Sequence, residues 1–289
     1  MFLSAGLWAQ GLPVTASFSI IGDVAREIGG ERVTVTNIIG ANQDAHVYRI
    51  TPQDLRTIRA SKLVLMNGLG LESAEFERAV KSAKIPFALA SHGIKARAAE
   101  EEHNEHDHHR HDHGAYDPHV WHDPVLMQTY AQNIADALTQ ADPAGKDYYR
   151  AQLNRYQQKL RELDTWAQKQ FAGISENQRK VLTAHDAFGY LGARYRITFI
   201  APQGLSEDSE PSAKAVAAII RQVKKDRIRA VFMENIKNPR LVDQLARETG
   251  LNVAGKLYSD ALSAPNGGAA TYLDMMRHNI SALSKAMQQ

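Results

Sequence analysis

The sequence predicts an α/β fold: two similar lobes, each a parallel-type sheet flanked by helices, joined by one long rigid helix. Short apolar or β-branched runs alternate with helical segments in the first half, and the same alternation returns in the second half. Between the halves lies a long helical pattern. We therefore predict a signal remnant or disordered N-terminus at 1–13, a first lobe at 14–142, a connecting helix at 143–173 and a second lobe at 174–289.

The first lobe is predicted to have the strand–helix–strand order of a parallel sheet with helices on its faces. A helix follows the first strand as far as the glycines at 29–30, and Pro52 begins another that runs to about Ala60. The strands, apolar or rich in β-branched residues, are predicted at 14–19, 32–39, 63–66 and 85–89.

A polar segment at about 95–116 interrupts this alternation. It is rich in His and Glu and has no apolar periodicity, so we expect a flexible loop. After it, Asp123 and Pro124 form an N-cap and first-turn pair, which predicts a helix that runs to about Gln140.

The connecting helix is predicted from one apolar face within residues 144–171. Large apolar and aromatic residues recur there at intervals of three or four, which is the spacing of one helix side. They are Tyr149, Leu153, Tyr156, Leu160, Leu163 and Trp166. At 1.5 Å per residue the helix could reach about 40 Å, which suits a rigid connector between lobes. We interpret the aromatic residues as core packing and not as a cofactor site.

The second lobe is predicted to repeat the alternation. Strands are expected to end at 181–183 and to occupy 229–233 and 252–257. Helices are expected from Ser212 to about Asp226, from the Asn238–Pro239 pair to Gly250, and at 271–287.

Composition excludes several classes of function. Lys and Arg number 34 against 32 Asp and Glu, a net charge of +2 that argues against nucleic acid as the main partner. The chain has no cysteine, which excludes disulfides, thiolate nucleophiles, iron–sulfur clusters and cysteine-type zinc fingers. Apolar runs are too short to predict a membrane span. The 12 histidines make metal the first hypothesis, because imidazole is a strong ligand for several transition metals.

Four residues are candidate metal ligands because each follows a predicted strand or precedes a predicted helix. Open α/β sheets place their ligands at such positions. The four are His46, His119, His185 and Asp260, two from each half of the chain. Three imidazoles and one carboxylate form a tetrahedral set suited to Zn²⁺. A second carboxylate in place of an imidazole would shift the preference toward manganese.

Two further residues lie close to these candidates in sequence. His122 competes with His119, but we expect the chain between Pro118 and Pro124 to be extended, which points residues three apart to opposite faces. We favour His119 as the ligand and expect His122 to support a ligand or to lie on the surface. Asp186 is predicted to be the N-cap of a short helix, with the orientation of an imidazole as its alternative role.

Six histidines within the polar segment form a second candidate metal site. They are His103, His106, His108, His109, His111 and His113, interleaved with Asp and Glu. Imidazoles at this density bind Zn²⁺, Ni²⁺ or Cu²⁺. Because binding must first order the loop, we expect weaker affinity than at a preformed site, which suits capture or buffering. The alternative is a solvated loop with no selected role.

The first residues favour export. Residues 2–10, FLSAGLWAQ, are similar to the apolar part and small-residue cleavage region of a secretory signal without its basic leader. A disordered mature N-terminus is the alternative. We predict a periplasmic location.

From about Val14 to its end the sequence resembles the metal-binding solute-binding proteins of bacterial ABC transporters, in their zinc branch. The resemblance is carried by His46 with Tyr48 and Pro52-Gln53-Asp54, by Asp117-Pro118-His119-Val120-Trp121, by His185-Asp186-Ala187-Phe188-Gly189-Tyr190, by Glu210-Pro211-Ser212, and by Tyr258-Ser259-Asp260-Ala261-Leu262. It implies one metal in the cleft between two lobes. His185 stands where manganese members have Glu, and the His-rich loop is similar to that of zinc members. His122, where an apolar residue is usual, and the incomplete signal depart from the family pattern.

We therefore expect a monomeric, periplasmic, high-affinity zinc-binding protein that hands Zn²⁺ to the membrane permease of an ABC transporter. The His-rich loop would collect zinc or accept it from a periplasmic zinc carrier protein. The chain is not expected to be an enzyme, because four side-chain ligands leave no open coordination position. The alternatives are a His-rich storage or buffering protein, and a zinc hydrolase with Glu234 as its general base.

Overall fold

Two parallel sheets organise the chain in the computed structural model, which describes residues 11–99, 116–202, 204, 212–228 and 230–288. The strands are β1 (Leu12–Phe18), β2 (Val33–Ile39), β3 (Leu63–Met66), β4 (Phe87–Leu89), β5 (Lys180–Leu182), β6 (Thr198–Ile200), β7 (Ala230–Glu234) and β8 (Val253–Leu257). The helices are α1 (Ser19–Gly29), α2 (Pro52–Ala60), α3 (Ala74–Ala83), α4 (Leu126–Ala141), α5 (Lys146–Phe171), α6 (Gly189–Tyr195), α7 (Ala213–Asp226), α8 (Arg240–Thr249) and α9 (Tyr272–Met287).

The two sheets have the same strand topology. The first has the order β2-β1-β3-β4 and the second β6-β5-β7-β8, with parallel pairing throughout. In each, the first strand in sequence lies between the second and the third. The carboxyl ends of parallel strands share one edge, so the loops that follow them are neighbours. The predicted fold class is confirmed.

The hydrophobic core is continuous between the lobes. One cluster of buried side chains joins the first sheet and α1 to α5, α9 and part of the second lobe, and includes Val14, Trp121, Tyr156, Phe232 and Met275. A separate cluster lies under α7 and α8. Because burial of apolar area is the main stabilising term in folding, the shared cluster holds the lobes in a defined arrangement.

The predicted connecting helix is α5, with 26 residues and a length of about 39 Å. Its apolar face is buried from Tyr149 to Leu163, whereas Trp166 is partly exposed and lies 5.3 Å from the Arg277 guanidinium. Asp164 accepts hydrogen bonds from Arg194 Nε at 2.9 Å and Tyr195 Oη at 3.0 Å, which ties the helix to α6.

Two local expectations were wrong, and one helix was not expected from the sequence. Helix α4 begins at Leu126, because Asp123 Oδ1 accepts the Val125 N–H at 2.8 Å and caps a turn ahead of the helix. Residues 120–122 form a 3₁₀ turn and not an extended strand, closed by the His122 N–H to the His119 carbonyl at 3.2 Å. Helix α3, capped by Ser73, was not predicted.

The polar segment is described only at its ends, where Ala98 and Tyr116 form an antiparallel bridge. Residues 100–115, with the six clustered histidines, lie outside the described residues. So do residues 1–10, and Glu210 and Pro211. The lobe boundaries stay predictions. Within the parts of the chain that the structure describes, no helix has the length and apolar character needed to cross a membrane.

Candidate metal-binding site

The four predicted ligands come together in the structure. One donor atom each from His46, His119, His185 and Asp260 lies within 4.8 Å of all the others. The His46 side chain is 3 % exposed and the other three are fully buried. The site is therefore a buried set of three imidazoles and one carboxylate.

Three of the four donors lie in loops that follow the carboxyl ends of strands. His46 follows β2, His185 follows β5 and Asp260 follows β8, while His119 immediately precedes the 3₁₀ turn at 120–122. The loop that carries His46 is held by Asp44, whose Oδ1 accepts the His46 N–H at 2.9 Å. The parallel topology brings these loops to one edge of each sheet.

The three imidazoles converge on Asp260 through their Nε2 atoms. His119 Nε2 lies 3.4 Å from Oδ1, and the Nε2 atoms of His185 and His46 lie 3.2 Å and 3.5 Å from Oδ2. The Nε2 atoms of His46 and His119 are 3.1 Å apart. Among the described residues, neither Asp260 oxygen has a partner with sound hydrogen-bond geometry. Buried donors left in this state fit a shared cation.

Two of the imidazoles are oriented by carboxylates behind them. His119 Nδ1 lies 2.7 Å from Asp117 Oδ1, and His185 Nδ1 lies 2.6 Å from Glu234 Oε2. The Asp117 hydrogen bond fixes a proton on His119 Nδ1 and turns the Nε2 lone pair toward the centre of the site. The contact between Glu234 and His185 is a close ion pair, in which neither atom has hydrogen-bond geometry among the described residues. His119 is therefore set in the tautomer that can bind a metal, whereas Glu234 favours the Nδ1 proton of His185, whose Nε2 must lose its own proton before it can bind a metal.

The charges within the site are strongly coupled. Burial alone would raise the pKa of Asp260, but the Coulombic attraction of His185 and His119 holds it well below its usual value. Burial alone would lower the pKa of His185, yet the attraction of Glu234 and Asp260 raises it well above its usual value. Burial lowers the pKa of His46. Without a cation, the proton on His185 compensates part of the carboxylate charge.

His122 is buried and does not lie on the surface. Its ring packs between Trp121 and Phe188, with centroid separations of 5.8 and 4.7 Å. Burial lowers the pKa of His122 to about 3, so the imidazole is neutral at physiological pH. The group of donors found among the described residues contains His119 and not His122. The backbone at 120–122 is a 3₁₀ turn, so the expected extended chain is not what separates the two rings.

Asp186 does not cap the short helix as predicted. Helix α6 begins at Gly189 with Phe188 at its N-cap, because the chain makes a further turn after His185. The Asp186 N–H donates to the Gly204 carbonyl at 3.3 Å. The carboxylate that orients His185 is that of Glu234, from the end of the neighbouring strand β7.

Sequence reasoning missed two residues that support the site and gave a third a different role. Asp117 lies two residues before His119, a spacing that allows a short side-chain-to-backbone turn and could have identified it. Trp121 spans the lobes, since its Nε1–H donates to the Ser259 carbonyl at 2.9 Å. The sequence suggested Glu234 only as the general base of a hydrolase. In the structure its Oε1 accepts the N–H groups of residues 184 and 185, and its Oε2 faces His185.

The fold and the site together define a two-lobed protein with an ion-binding cleft. The family described as "ZnuA: Zinc-uptake complex component A periplasmic" matches residues 14–286, and the chain belongs to this family. Its members are substrate-binding proteins of metal ABC transporters and not enzymes, so the expectation that the chain is not an enzyme is confirmed.

Known relatives share almost the whole length of the chain. The manganese-binding lipoprotein MntA of Bacillus subtilis is 32 % identical over 291 residues, which cover 99 % of this chain and 93 % of that protein. A manganese-bound periplasmic metal-binding protein from Candidatus Liberibacter asiaticus has a TM-score of 0.83 at 27 % identity, with 96 % and 99 % of the two chains covered. The periplasmic zinc-binding protein TroA of Treponema pallidum has the same fold, with a TM-score of 0.86, 24 % identity and the same coverage.

Proposed function

We propose that this protein captures one Zn²⁺ ion in the cleft between its lobes and delivers it to the membrane permease of an ABC importer. The observation that carries the proposal is the donor set itself, three buried imidazoles and one carboxylate. Imidazole nitrogen suits zinc, whereas manganese prefers sites richer in oxygen. The nitrogen donor of His185 supports zinc for this chain, although several relatives carry manganese-binding names.

The site is built to hold an ion and not to transform a substrate. His46, His119, His185 and Asp260 would complete a tetrahedral shell, which leaves no position for a reacting water. Asp117 and Glu234 would keep two of the imidazoles in the metal-binding tautomer. Release would require a ligand to withdraw when the protein docks on the permease.

The setting we propose is the periplasm, in agreement with the family description and with the apolar segment at residues 2–10. The His-rich segment would collect zinc at low concentration or accept it from a periplasmic carrier protein. We propose that the protein acts as a monomer, since its cleft takes all four ligands from one chain.

Zinc titration of a variant that lacks residues 103–113, against a high-affinity chelator, tests the cleft directly. We expect one tight site at one-to-one stoichiometry, as in the full chain, with slower loading at limiting zinc. The matched control is the full chain with Asp260→Asn, which keeps the His-rich segment and should lose tight binding. Tight binding that disappears with the segment would refute the cleft assignment and favour a His-rich buffer.

The choice of metal needs a second titration. Zinc and manganese compete for the variant without residues 103–113, and we expect zinc to displace manganese. Preference for manganese would leave the cleft in place but overturn zinc as its cargo.

A further inference from the structure

The loop that carries His46 is joined to the second lobe by a shielded ion pair. Lys237 Nζ lies 2.7 Å from Asp44 Oδ2, and the two side chains are only 9 % and 11 % exposed. Asp44 follows β2 in the first lobe, and Lys237 lies in the turn after β7 in the second. The pair therefore spans the cleft beside the metal-binding site.

Each oxygen of the Asp44 carboxylate has its own partner, one in each lobe. Oδ1 accepts the N–H of His46 at 2.9 Å, while Oδ2 receives Lys237 from the other lobe. We propose that Lys237 is a positioning residue, which holds His46 in place through Asp44 and so controls how long the metal stays bound. The proposal rests on the proposed function, because it concerns retention of the same ion.

A parallel set of hydrogen bonds joins the same loops. Asn235 Nδ2 donates to Asn42 Oδ1 at 3.0 Å and to the Ala261 carbonyl at 3.1 Å. The Asn42 N–H donates to the Leu262 carbonyl at 2.9 Å, from a left-handed backbone conformation with φ of +56°. These contacts place the turn after β7 against the loops of two ligands, His46 and Asp260.

The turn also begins at the residue that orients His185. Glu234 ends β7, and Lys237 is three residues further along the chain. Movement of this turn away from the first lobe would break the Asp44–Lys237 pair and shift the support of His185 at the same time. The position of this turn therefore affects two ligands at once, His46 in the first lobe and His185 in the second.

Because the ion pair is shielded from solvent, its loss should change the rate of metal release measurably. Exposed pairs contribute little because water and salt screen them, but removal of one partner from a buried, hydrogen-bonded pair mainly raises the dissociation rate of a complex. Since Lys237 supports a metal ligand through Asp44 and both side chains are mostly buried, we expect its loss to accelerate metal release about tenfold. Association with zinc should change little, since Lys237 contacts Asp44 and is not one of the four metal donors.

The test measures zinc dissociation into excess chelator by stopped flow, with zinc association and the unfolding midpoint of the metal-free protein recorded alongside. Lys237→Met removes the charge, and Asp44→Asn removes the opposite charge but keeps an oxygen for the His46 N–H. The control is Lys159→Met, which breaks another lysine–carboxylate pair, Lys159 Nζ to Glu27 Oε2 at 2.8 Å, on an exposed helix surface.

We expect about tenfold faster release from both cleft variants, no further increase in the double variant, and recovery in Lys237→Arg. Lys159→Met should release zinc at the native rate. Equal rates for Lys237→Met and Lys159→Met, with tight zinc binding in both, would overturn the positioning role alone. Absence of tight zinc binding in the native protein would overturn the proposed function and this inference together.

Discussion

Glu234→Gln exchanges one oxygen for an NH₂ group in a fully buried network. In the native chain, Oε1 accepts the N–H groups of Ala184 and His185, both at 2.9 Å, and Oε2 lies 2.6 Å from His185 Nδ1. If the glutamine keeps its oxygen toward the two N–H groups, its NH₂ faces Nδ1 and requires that nitrogen to accept. The His185 proton then moves to Nε2, which can no longer bind a metal. In the opposite orientation, the NH₂ group of the glutamine faces the N–H groups of Ala184 and His185, which are also donors.

The expected loss follows from the contact that disappears. Removal of a group that orients a metal-binding imidazole typically costs 10–100-fold in affinity, or about 1.4–2.7 kcal/mol. We therefore expect the zinc Kd of Glu234→Gln to rise by about 10–100-fold.

Chelator competition measures this change, with urea unfolding of the metal-free protein to confirm that the variant is folded. Glu72→Gln is the matched control, since Glu72 is also buried but its carboxylate accepts from Ser17 and from the N–H groups of Asn67 and Gly68. The control should lose stability without a change in zinc affinity. A folded Glu234→Gln variant with native zinc affinity would refute the argument from tautomer control.

Three other predictions concern pH, metal choice and stability. The raised pKa of His185 means that its ring carries a second proton at pH 7 in the metal-free site, so zinc should displace about one proton and bind more weakly as pH falls. Calorimetry in buffers of different ionisation enthalpy counts that proton, and a count near zero would contradict the prediction. His185→Glu should lower zinc affinity relative to manganese in a competition titration, because an oxygen replaces a nitrogen donor; an unchanged ratio would speak against donor chemistry as the basis of selectivity. Trp121→Phe leaves the Ser259 carbonyl without the indole N–H and should reduce the free energy of unfolding by about 1–3 kcal/mol, measured in urea, whereas native stability would show that the contact is dispensable.

Local sequence patterns were sufficient for much of the backbone. The β-branched run at 32–39 and the Pro52 helix start predicted β2 and α2 because strand and helix preferences act over a few residues. They were insufficient where several short-range hydrogen bonds compete. Asp123 is a good helix cap by type, but it caps a separate turn ahead of α4.

The sequence by itself determined which side chains were available for metal binding and which strand ends would carry them. His46, His185 and Asp260 could be selected because parallel topology brings the carboxyl ends of strands together. The partners of these residues were decided by tertiary structure. Glu234 faces His185 across 49 residues of chain, and Lys237 reaches Asp44 across 193. Such pairs form only when neighbouring strands and opposite lobes pack together, and no local spacing encodes that packing.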